Sequence, residues 1–243
     1  MPNVKNYPKK IKKLPVIDAT CEVRFTSPFT GDMISGLLAE KLGISDNAKI
    51  EPLPILQFPE HIRSKDENLK YLPHYKAVID GFTIQFGSQM LAVSSPIPYC
   101  GWEKFNEKIT EYIITKLHHK VFDSVTRIGY RVINLFESDV LTLIENSKKP
   151  SLTFERTQYN YTETFKNNDK VIKIGMANEV VARVGEGLKT GSAIDIDVFV
   201  ESKLGKDPAA ISSLIEEIHT TEKKSFFDIL SEEQIKKMEP EYE

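Results

Sequence analysis

Acidic side chains alternate with apolar residues along the segment 193–201, as in a half-buried β-strand. Asp195 and Asp197 lie on one face of this segment, and successive side chains on one face of a strand are about 6–7 Å apart. Carboxylates at that spacing can contribute oxygen ligands to a divalent cation. The segment therefore carries the first candidates for binding chemistry.

Two other strand-like segments carry charged side chains of the same kind. Glu22 and Arg24 share a face of the segment 17–26, and Arg127 and Arg131 share a face of the segment 125–136. Guanidinium groups bind phosphate and carboxylate through paired hydrogen bonds. If the strands adjoin, six side chains form one candidate ligand-binding face: Glu22, Arg24, Arg127, Arg131, Asp195 and Asp197.

This pattern leaves two interpretations open. Alternating acidic and basic residues on antiparallel strands are found in tunnel-shaped phosphohydrolases, which favours a metal-dependent enzyme. The alternative is a set of cross-strand salt bridges on a solvated sheet face, which needs no ligand. We expect all six side chains to project from the same side of the sheet, because each strand alternates strictly.

The other reactive residues form no recognised catalytic or metal-binding motif. The five histidines include no pair at i, i+4. Cys21 and Cys100 lack metal-ligand spacing and are expected to be free thiols. Three glycines in 185–191 do not have the order of a phosphate-binding loop, and a hairpin loop is expected there. The sequence predicts no cofactor, no metal site and no catalytic residue.

Composition bounds the class of protein. The chain has 243 residues, 40% of them hydrophobic and 28% charged, with a formal net charge of -3, which is ordinary for a globular domain with a core. This charge argues against a broad surface for duplex nucleic acid. No apolar run of about 18 residues predicts a membrane span, and the polar N-terminus does not resemble a signal peptide. We expect a cytoplasmic protein.

The first half of the sequence reads as a strand, a helix, three strands and a helix. Alternation predicts a strand over 17–26, and apolar spacing predicts a helix over 32–42. Three strands are expected over 71–95, with Asp80-Gly81 as a tight hairpin turn. A helix is then expected from Trp102 to about residue 119, with Trp102 packing it onto the sheet.

The second half repeats this order. The predicted elements are a strand over 125–136, a short helix over 139–145, strands over 152–165, 171–184 and 193–201, and a helix over 207–221. Asp207 and Pro208 are typical of a helix N-terminus. Two short elements over 226–230 and 231–238 are expected to close the chain, with Ser231 in a capping box.

These elements predict an α+β fold. We expect a large curved antiparallel sheet made from two pseudo-repeated β-α-β-β-β-α halves, with helices on one face and a polar, concave surface on the other. The lysine-rich residues 1–15 are expected to be a flexible N-terminal segment. Residues 16–243 are expected to be a single domain of two halves, 16–120 and 124–243.

Several motifs resemble those of a sporadically distributed prokaryotic family of uncharacterised proteins of similar length. They are DATCEVRF at 18–25, the Asp80-Gly81 hairpin, YCGW at 99–102, RIGYRVIN at 127–134, IDID at 194–197 and the tail at 226–240. The resemblance covers nearly the whole chain, and the motif at 127–134 is its most specific part. It implies a bacterial origin and a mobile-element or defence setting, and it implies no known reaction.

Taken together, the sequence favours a non-enzymatic binding module that recognises a protein partner or a small anionic ligand, in a bacterial defence or toxin–antitoxin setting. The alternative is a metal-dependent, phosphohydrolase-like enzyme that uses a polar concavity of the sheet. No membrane or nucleic-acid partner is expected, and the sequence is compatible with a homodimer. The identity of the ligand or partner stays open.

Overall fold

The computed structural model describes residues 7–44, 49–145, 158–185 and 187–242 of the chain. The strands are β1 (Lys10–Ile11), β2 (Val16–Thr26), β3 (Glu51–Pro52), β4 (Tyr75–Ile79), β5 (Phe82–Phe86), β6 (Met90–Ser94), β7 (Ser124–Phe136), β8 (Asn160–Asn167), β9 (Lys170–Val184), β10 (Gly187–Leu204) and β11 (Pro240–Glu241). The helices are α1 (Gly31–Lys41), α2 (Glu60–Arg63), α3 (Trp102–Tyr112), α4 (Val140–Leu143), α5 (Pro208–Ile229) and α6 (Glu232–Lys237).

In the described parts of the chain nine strands form one antiparallel sheet, in the order β3-β4-β5-β6-β2-β7-β10-β9-β8. The long strands β2, β7 and β10 are neighbours near its middle. The predicted α+β class with a large antiparallel sheet is therefore confirmed.

The two halves of the sheet have the same strand order. In the first half β2 pairs with β6, followed by β5 and β4. In the second half β7 pairs with β10, followed by β9 and β8. A shared strand order does not show that the two halves superpose, so the predicted internal duplication stays a prediction.

One apolar core lies between the sheet and the helices. Ala19, Cys21, Val23 and Phe25 of β2 are fully buried, because alternation turns them all to the same side. They join one cluster with inward residues of α1, α3 and α5. Fully burying a valine or phenylalanine side chain, as at Val23 and Phe25, stabilises the fold by about 1.5–3 kcal/mol. The opposite face carries the charged residues of the same strands.

The tight turn between β4 and β5 forms as predicted. Asp80 and Gly81 both have positive φ angles, 52° and 83°, which a two-residue hairpin of this kind requires. The turn between β8 and β9 likewise places Asn168 at a φ of 56°. Asparagine, aspartate and glycine are the residues that tolerate this conformation best.

Two helix boundaries differ from the predictions. The helix expected to reach residue 119 ends at Tyr112 and is followed by a 3₁₀ turn at Ile114–Lys116. The helix expected to end near residue 221 runs to Ile229, so the separate element predicted at 226–230 is mostly part of α5. The polar run after Ile218 resembles a helix end, but the buried side of α5 continues to Phe226 and holds the helix together.

The helix caps follow the sequence. Asp207 accepts a hydrogen bond from the Ala210 amide (2.9 Å), as its N-cap position predicts. Ser231 caps α6 by accepting from the Gln234 amide (3.3 Å).

Two strands of the second half, β8 and β10, also differ in extent from the predictions. Residues 152–157 of the predicted strand 152–165 lie outside the described residues, and β8 covers Asn160–Asn167. β10 is longer than expected, so Gly187 and Gly191 belong to the strand and not to a loop. A Cβ at Gly191 would overlap the carbonyl oxygen of Phe136 on β7, which explains why glycine suits this position.

The N-terminal segment expected to be flexible is anchored over the part that the structure describes. β1 pairs with β11 near the end of the chain. The Tyr7 hydroxyl donates to Asp228 of α5 (2.7 Å), and Pro8 is buried. Residues 7–15 thus cross over the end of α5. Within the described ranges no helix has the length and apolar character needed to cross a membrane.

Candidate functional site

The six residues predicted to share a face do lie together, on the side of the sheet that faces away from the helices. Their strands β2, β7 and β10 are adjacent, and Arg131 is directly opposite both Thr20 and Asp197. We call this set the polar-face cluster: Glu22, Arg24, Arg127, Arg131, Asp195 and Asp197.

Arg127 is the centre of the polar-face cluster. Its Nη1 donates to Glu22 Oε1 at 2.7 Å, and its Nη2 donates to Asp197 Oδ2 at 2.8 Å. The guanidinium of Arg127 lies 4.3 Å from the centre of the Phe199 ring. Arg127 itself is only 7% exposed. Hydrogen bonds between charged groups are among the stronger ones in proteins. Arg127 therefore ties β2, β7 and β10 together.

The other two arginines of the cluster are also paired. Arg24 Nε donates to Glu22 at 2.8 Å, and Arg131 holds Asp195 through two hydrogen bonds of 2.8 and 2.5 Å. The Asp195 hydrogen bond raises the pKa of Arg131, while burial raises the pKa of Asp197. Three arginines face three carboxylates, so the formal charges cancel. An anion binding here would have to break an existing ion pair.

The cluster also lacks the geometry of a metal centre. Over the described ranges of the chain, no group of three or more His, Cys, Asp or Glu residues could hold a metal ion. Each acidic residue of the cluster instead contacts a guanidinium. The contacts match the salt-bridge interpretation of the alternating pattern.

Gly129 provides the space in which the Arg127 guanidinium lies. A Cβ at this position would be 2.7 Å from Arg127 Nη1 and 3.0 Å from Cζ. No other residue type leaves this space, which explains the glycine two residues after Arg127.

We expect Gly129→Ala to lower the free energy of unfolding by about 1–2 kcal/mol, because the added methyl group displaces a guanidinium held by two carboxylates. Urea denaturation measures this change. Gly175→Ala on β9 is the matched control: its Cβ would meet Asp195 Cβ at an ordinary 3.7 Å, so little loss is expected. Equal effects of the two substitutions would contradict the packing of Arg127 over Gly129.

A cavity of about 510 Å³ lies on the other side of the sheet, beside α5. Its walls come from residues 8–16, residues 99–104, the inward side of β7 and the segment 219–227 of α5. We call it the α5 cavity. It was not predicted from the sequence.

Aromatic rings form one wall of the α5 cavity. The Trp102 ring stacks on His219 of α5, with centroids 3.6 Å apart and an interplanar angle of 4°. Tyr130 meets Trp102 edge-on at 5.4 Å, and its hydroxyl lies 3.3 Å from that of Tyr99. Gly101, at a φ of 87°, turns the chain sharply just before Trp102. Trp102 packs α3 against the rest of the domain as predicted, and it also lines the cavity.

Glu222 is a buried carboxyl group in this wall. The residue is 6% exposed and lies on the inward side of α5, between Ile218 and Phe226. Within the described parts of the chain, its carboxyl group has neither a hydrogen-bond partner nor an ion-pair partner. Burial raises the pKa of Glu222 from 4.5 to about 8, against the opposing charge of Lys223. At neutral pH this carboxyl is mainly protonated and can donate a hydrogen bond.

Lys223 supplies a positive charge beside Glu222. Its Nζ donates to the carbonyl oxygen of Lys9 at 3.1 Å, and no ion pair joins it to a carboxylate in the described ranges. Burial lowers the pKa of Lys223, and the neighbouring Glu222 raises it. Three more lysines line the cavity against one further acid: Lys9, Lys10 and Lys104 against Glu103.

The remaining polar groups of the cavity are uncharged at neutral pH. Burial lowers the pKa of His219 to about 4, with a further contribution from Lys223. Burial raises the pKa of Tyr99 to about 12 and that of Tyr130 well above its usual value. Asn134, 2% exposed, adds a neutral amide. The cavity thus combines apolar and neutral polar walls with a basic charge balance.

One sequence signal could have located the cavity. Ile211, Ile215, Ile218, Glu222 and Phe226 follow helical spacing, and Glu222 is the only charged residue in that stripe. Burying an unpaired carboxyl group on the inward side of a helix costs free energy. A glutamate in an apolar stripe therefore indicates a candidate binding site.

A scan of protein-family models finds none that matches this chain, and a search of curated proteins finds no similar sequence.

Proposed function

We propose that the chain is a non-enzymatic binding module that takes up a small organic anion in the α5 cavity. The main support for this proposal is a largely apolar cavity next to Lys223, a half-buried cation. In the described residues no carboxylate forms an ion pair with Lys223, which binds only a backbone carbonyl oxygen.

The size and walls of the α5 cavity suit a small organic molecule. Ligand sites usually have volumes of about 300–1,000 Å³ and are lined mainly by apolar and aromatic residues with a few polar groups. The cavity has about 510 Å³, with Trp102 and Phe226 among its apolar residues. The apolar part of a ligand would pack against these rings.

The charges of the cavity favour an anion. Lys9, Lys10, Lys104 and Lys223 outnumber Glu103 and Glu222, and Glu222 is mainly neutral at pH 7. Lys223 is the innermost of these lysines, because it is half-buried while the others are exposed. An anionic group near Lys223 would gain a charge-assisted hydrogen bond in a partly desolvated place.

The α5 cavity is a better site for an anion than the polar-face cluster. In the cluster each arginine already holds a carboxylate, whereas Lys223 holds only a backbone carbonyl oxygen. No observation in the described residues favours the phosphohydrolase alternative, since the carboxylates it would need are paired with arginines.

We further propose that the chain belongs to the prokaryotic family that it resembles, and that it works in the cytoplasm. The proposal of the family rests on the motif at 127–134, the most specific part of the resemblance, which contains Arg127, Gly129 and Tyr130. A ligand-sensing module would fit a defence or toxin–antitoxin setting.

The proposal is tested with three probes of one shape and different charge: phenylbutyrate, phenylbutanol and phenylbutylamine. Calorimetry and the fluorescence of Trp102, the only tryptophan, measure binding. We expect phenylbutyrate to bind most tightly. Lys223→Gln should weaken its binding about tenfold, the loss of one hydrogen bond to a charged group.

Lys224→Gln is the matched control, since Lys224 is the exposed neighbour on α5 and does not line the cavity. It should bind phenylbutyrate as the unmodified chain does. Equal affinity for the acid and the alcohol, or an equal loss in both lysine variants, would refute the assignment of an anion to this cavity.

A further inference from the structure

The carboxyl group of Glu222 has a specific environment inside the α5 cavity. The other titratable or charged groups that line this cavity come from every element around it: His219 and Lys223 of α5, Tyr130 of β7, Tyr99 and Cys100 before α3, Glu103 and Lys104 in α3, and Lys9 and Lys10 of the N-terminal segment. Lys223 directly follows Glu222 on α5 and is the charged group next to it in sequence.

The Glu222 side chain is a buried part of the cavity wall. It is 6% exposed, within a helical turn flanked by the buried Ile218 and Phe226. In the described ranges no protein group satisfies its carboxyl oxygens. Glu222 lines the α5 cavity, where its carboxyl group is accessible to a ligand that would complete its hydrogen bonds.

We infer that the ligand of the α5 cavity is a carboxylate, held jointly by the Lys223 ammonium group and by the protonated carboxyl group of Glu222. This inference rests on the proposed function. One ligand oxygen accepts from Lys223, and the other accepts the hydroxyl proton of Glu222. Hydrogen bonds from a hydroxyl group to an ionised oxygen are among the shortest and strongest in proteins.

The arrangement makes Glu222 the residue that determines specificity. Its protonated form donates to an acid ligand, while its ionised form repels the same ligand. The affinity therefore depends on the fraction of Glu222 that is protonated, and the ligand is released as the pH rises. An ammonium ligand would show the opposite dependence.

The other groups lining the cavity allow this dependence to be isolated. His219 is neutral above pH 6, because burial lowers its pKa to about 4, and Tyr99 and Tyr130 keep their protons through pH 9. Lys223 can lose part of its charge at the upper end, since burial lowers its pKa. In a variant whose side chain at position 222 is always neutral, any remaining pH dependence of binding comes from Lys223 and not from position 222.

The experiment measures phenylbutyrate binding by calorimetry at pH 7 and pH 9 for the full chain and for Glu222→Gln. With a Glu222 pKa of about 8, we expect the unmodified chain to lose about tenfold in affinity between these pH values. Glutamine keeps a neutral donor, so Glu222→Gln should lose about twofold or less. At pH 9 the unmodified chain should take up a proton on binding, seen by comparing buffers of different ionisation enthalpy.

Glu222→Leu separates the hydrogen bond from the shape of the cavity. It removes the donor, keeps an apolar side chain and should weaken phenylbutyrate binding about tenfold at pH 7, the value of one such hydrogen bond. The affinity for phenylbutanol should change less, because phenylbutanol has no charged oxygen that accepts a hydrogen bond from Glu222.

Each outcome has a distinct meaning. If phenylbutyrate binds and the unmodified chain and Glu222→Gln share one pH profile, Glu222 is not the donor and this inference fails while the proposed function stands. If phenylbutylamine binds more tightly at pH 9 than phenylbutyrate does at pH 7, the ionised carboxyl group is a cation site and both are overturned. If none of the probes binds, the proposed function itself fails.

Discussion

Replacing Arg127 with methionine is expected to lower the free energy of unfolding by about 2–4 kcal/mol. Removing one partner of a buried ion pair costs about 3–5 kcal/mol, because the other charge stays behind without compensation. Arg127 is 7% exposed, but the Glu22 and Asp197 side chains are 22% and 23% exposed, and Glu22 keeps Arg24 as a partner. Those two facts place the expected loss below the fully buried case. Chemical denaturation measures it.

Arg131→Met is the matched control for Arg127→Met. It removes a bidentate pair with Asp195, but the Arg131 side chain is 50% exposed, so a loss of about 0–1 kcal/mol is expected. Combining Arg127→Met with Asp197→Asn should recover part of the stability, because the charge that loses its guanidinium partner is then removed, whereas Glu22 keeps Arg24. Similar losses for Arg127→Met and Arg131→Met would show that the depth of the ion pair does not decide its contribution.

The position of the polar-face cluster could be predicted from the sequence, and its chemistry could not. Strict alternation turns Glu22, Arg24, Asp195 and Asp197 to one face, since a shift of one residue would expose a whole apolar row. The pairing depends on which strands adjoin and in which register. Only the structure shows that Glu22 reaches both Arg24 and Arg127, which turns a candidate anion site into a neutral network.

The α5 cavity was missed because its walls are far apart in the sequence. Residues 8–16 were expected to be partly flexible, and the strand pair β1–β11 that anchors them is only two residues long on each side. The helix α5 was expected to end near residue 221, which left Glu222 and Lys223 outside every predicted element. Tertiary packing of Phe226 and Phe227 extends the helix, and this cannot be read from local propensity.

We expect the stability of the chain to fall by about 1 kcal/mol between pH 6.5 and pH 8, and Glu222 to be the cause. Its pKa is about 8 in the folded chain and 4.5 in the unfolded one, so between these values the folded state keeps a proton that the unfolded state has lost. Stability then falls with rising pH by about 1.4 kcal/mol per unit. Below pH 4.5 both states are protonated, and the penalty vanishes.

His219 has the opposite effect over a different range. Its pKa is about 4 in the folded chain and 6.5 in the unfolded one, so stability rises with pH between those values, where the unfolded state binds the extra proton. The two slopes cancel between pH 4.5 and 6.5. From pH 6.5 to 8 the Glu222 slope dominates, but it declines to half of its full value at pH 8, where the folded carboxyl group is half ionised. The unfolded His219 is still half protonated at pH 6.5 and offsets part of the fall, so the net change is about 1 kcal/mol.

Glu222→Gln should remove this decline, because glutamine has no proton to lose. Urea denaturation at pH 6.5 and pH 8 measures it, and Glu232→Gln, at an exposed position on α6, is the control that should keep the decline. A flat profile for the unmodified chain would mean that the Glu222 carboxyl group ionises freely in the folded protein. Saturating phenylbutyrate gives an independent measure: a ligand that requires the protonated carboxyl group stabilises the unmodified chain more at pH 6.5 than at pH 8, while the gain for Glu222→Gln stays nearly constant.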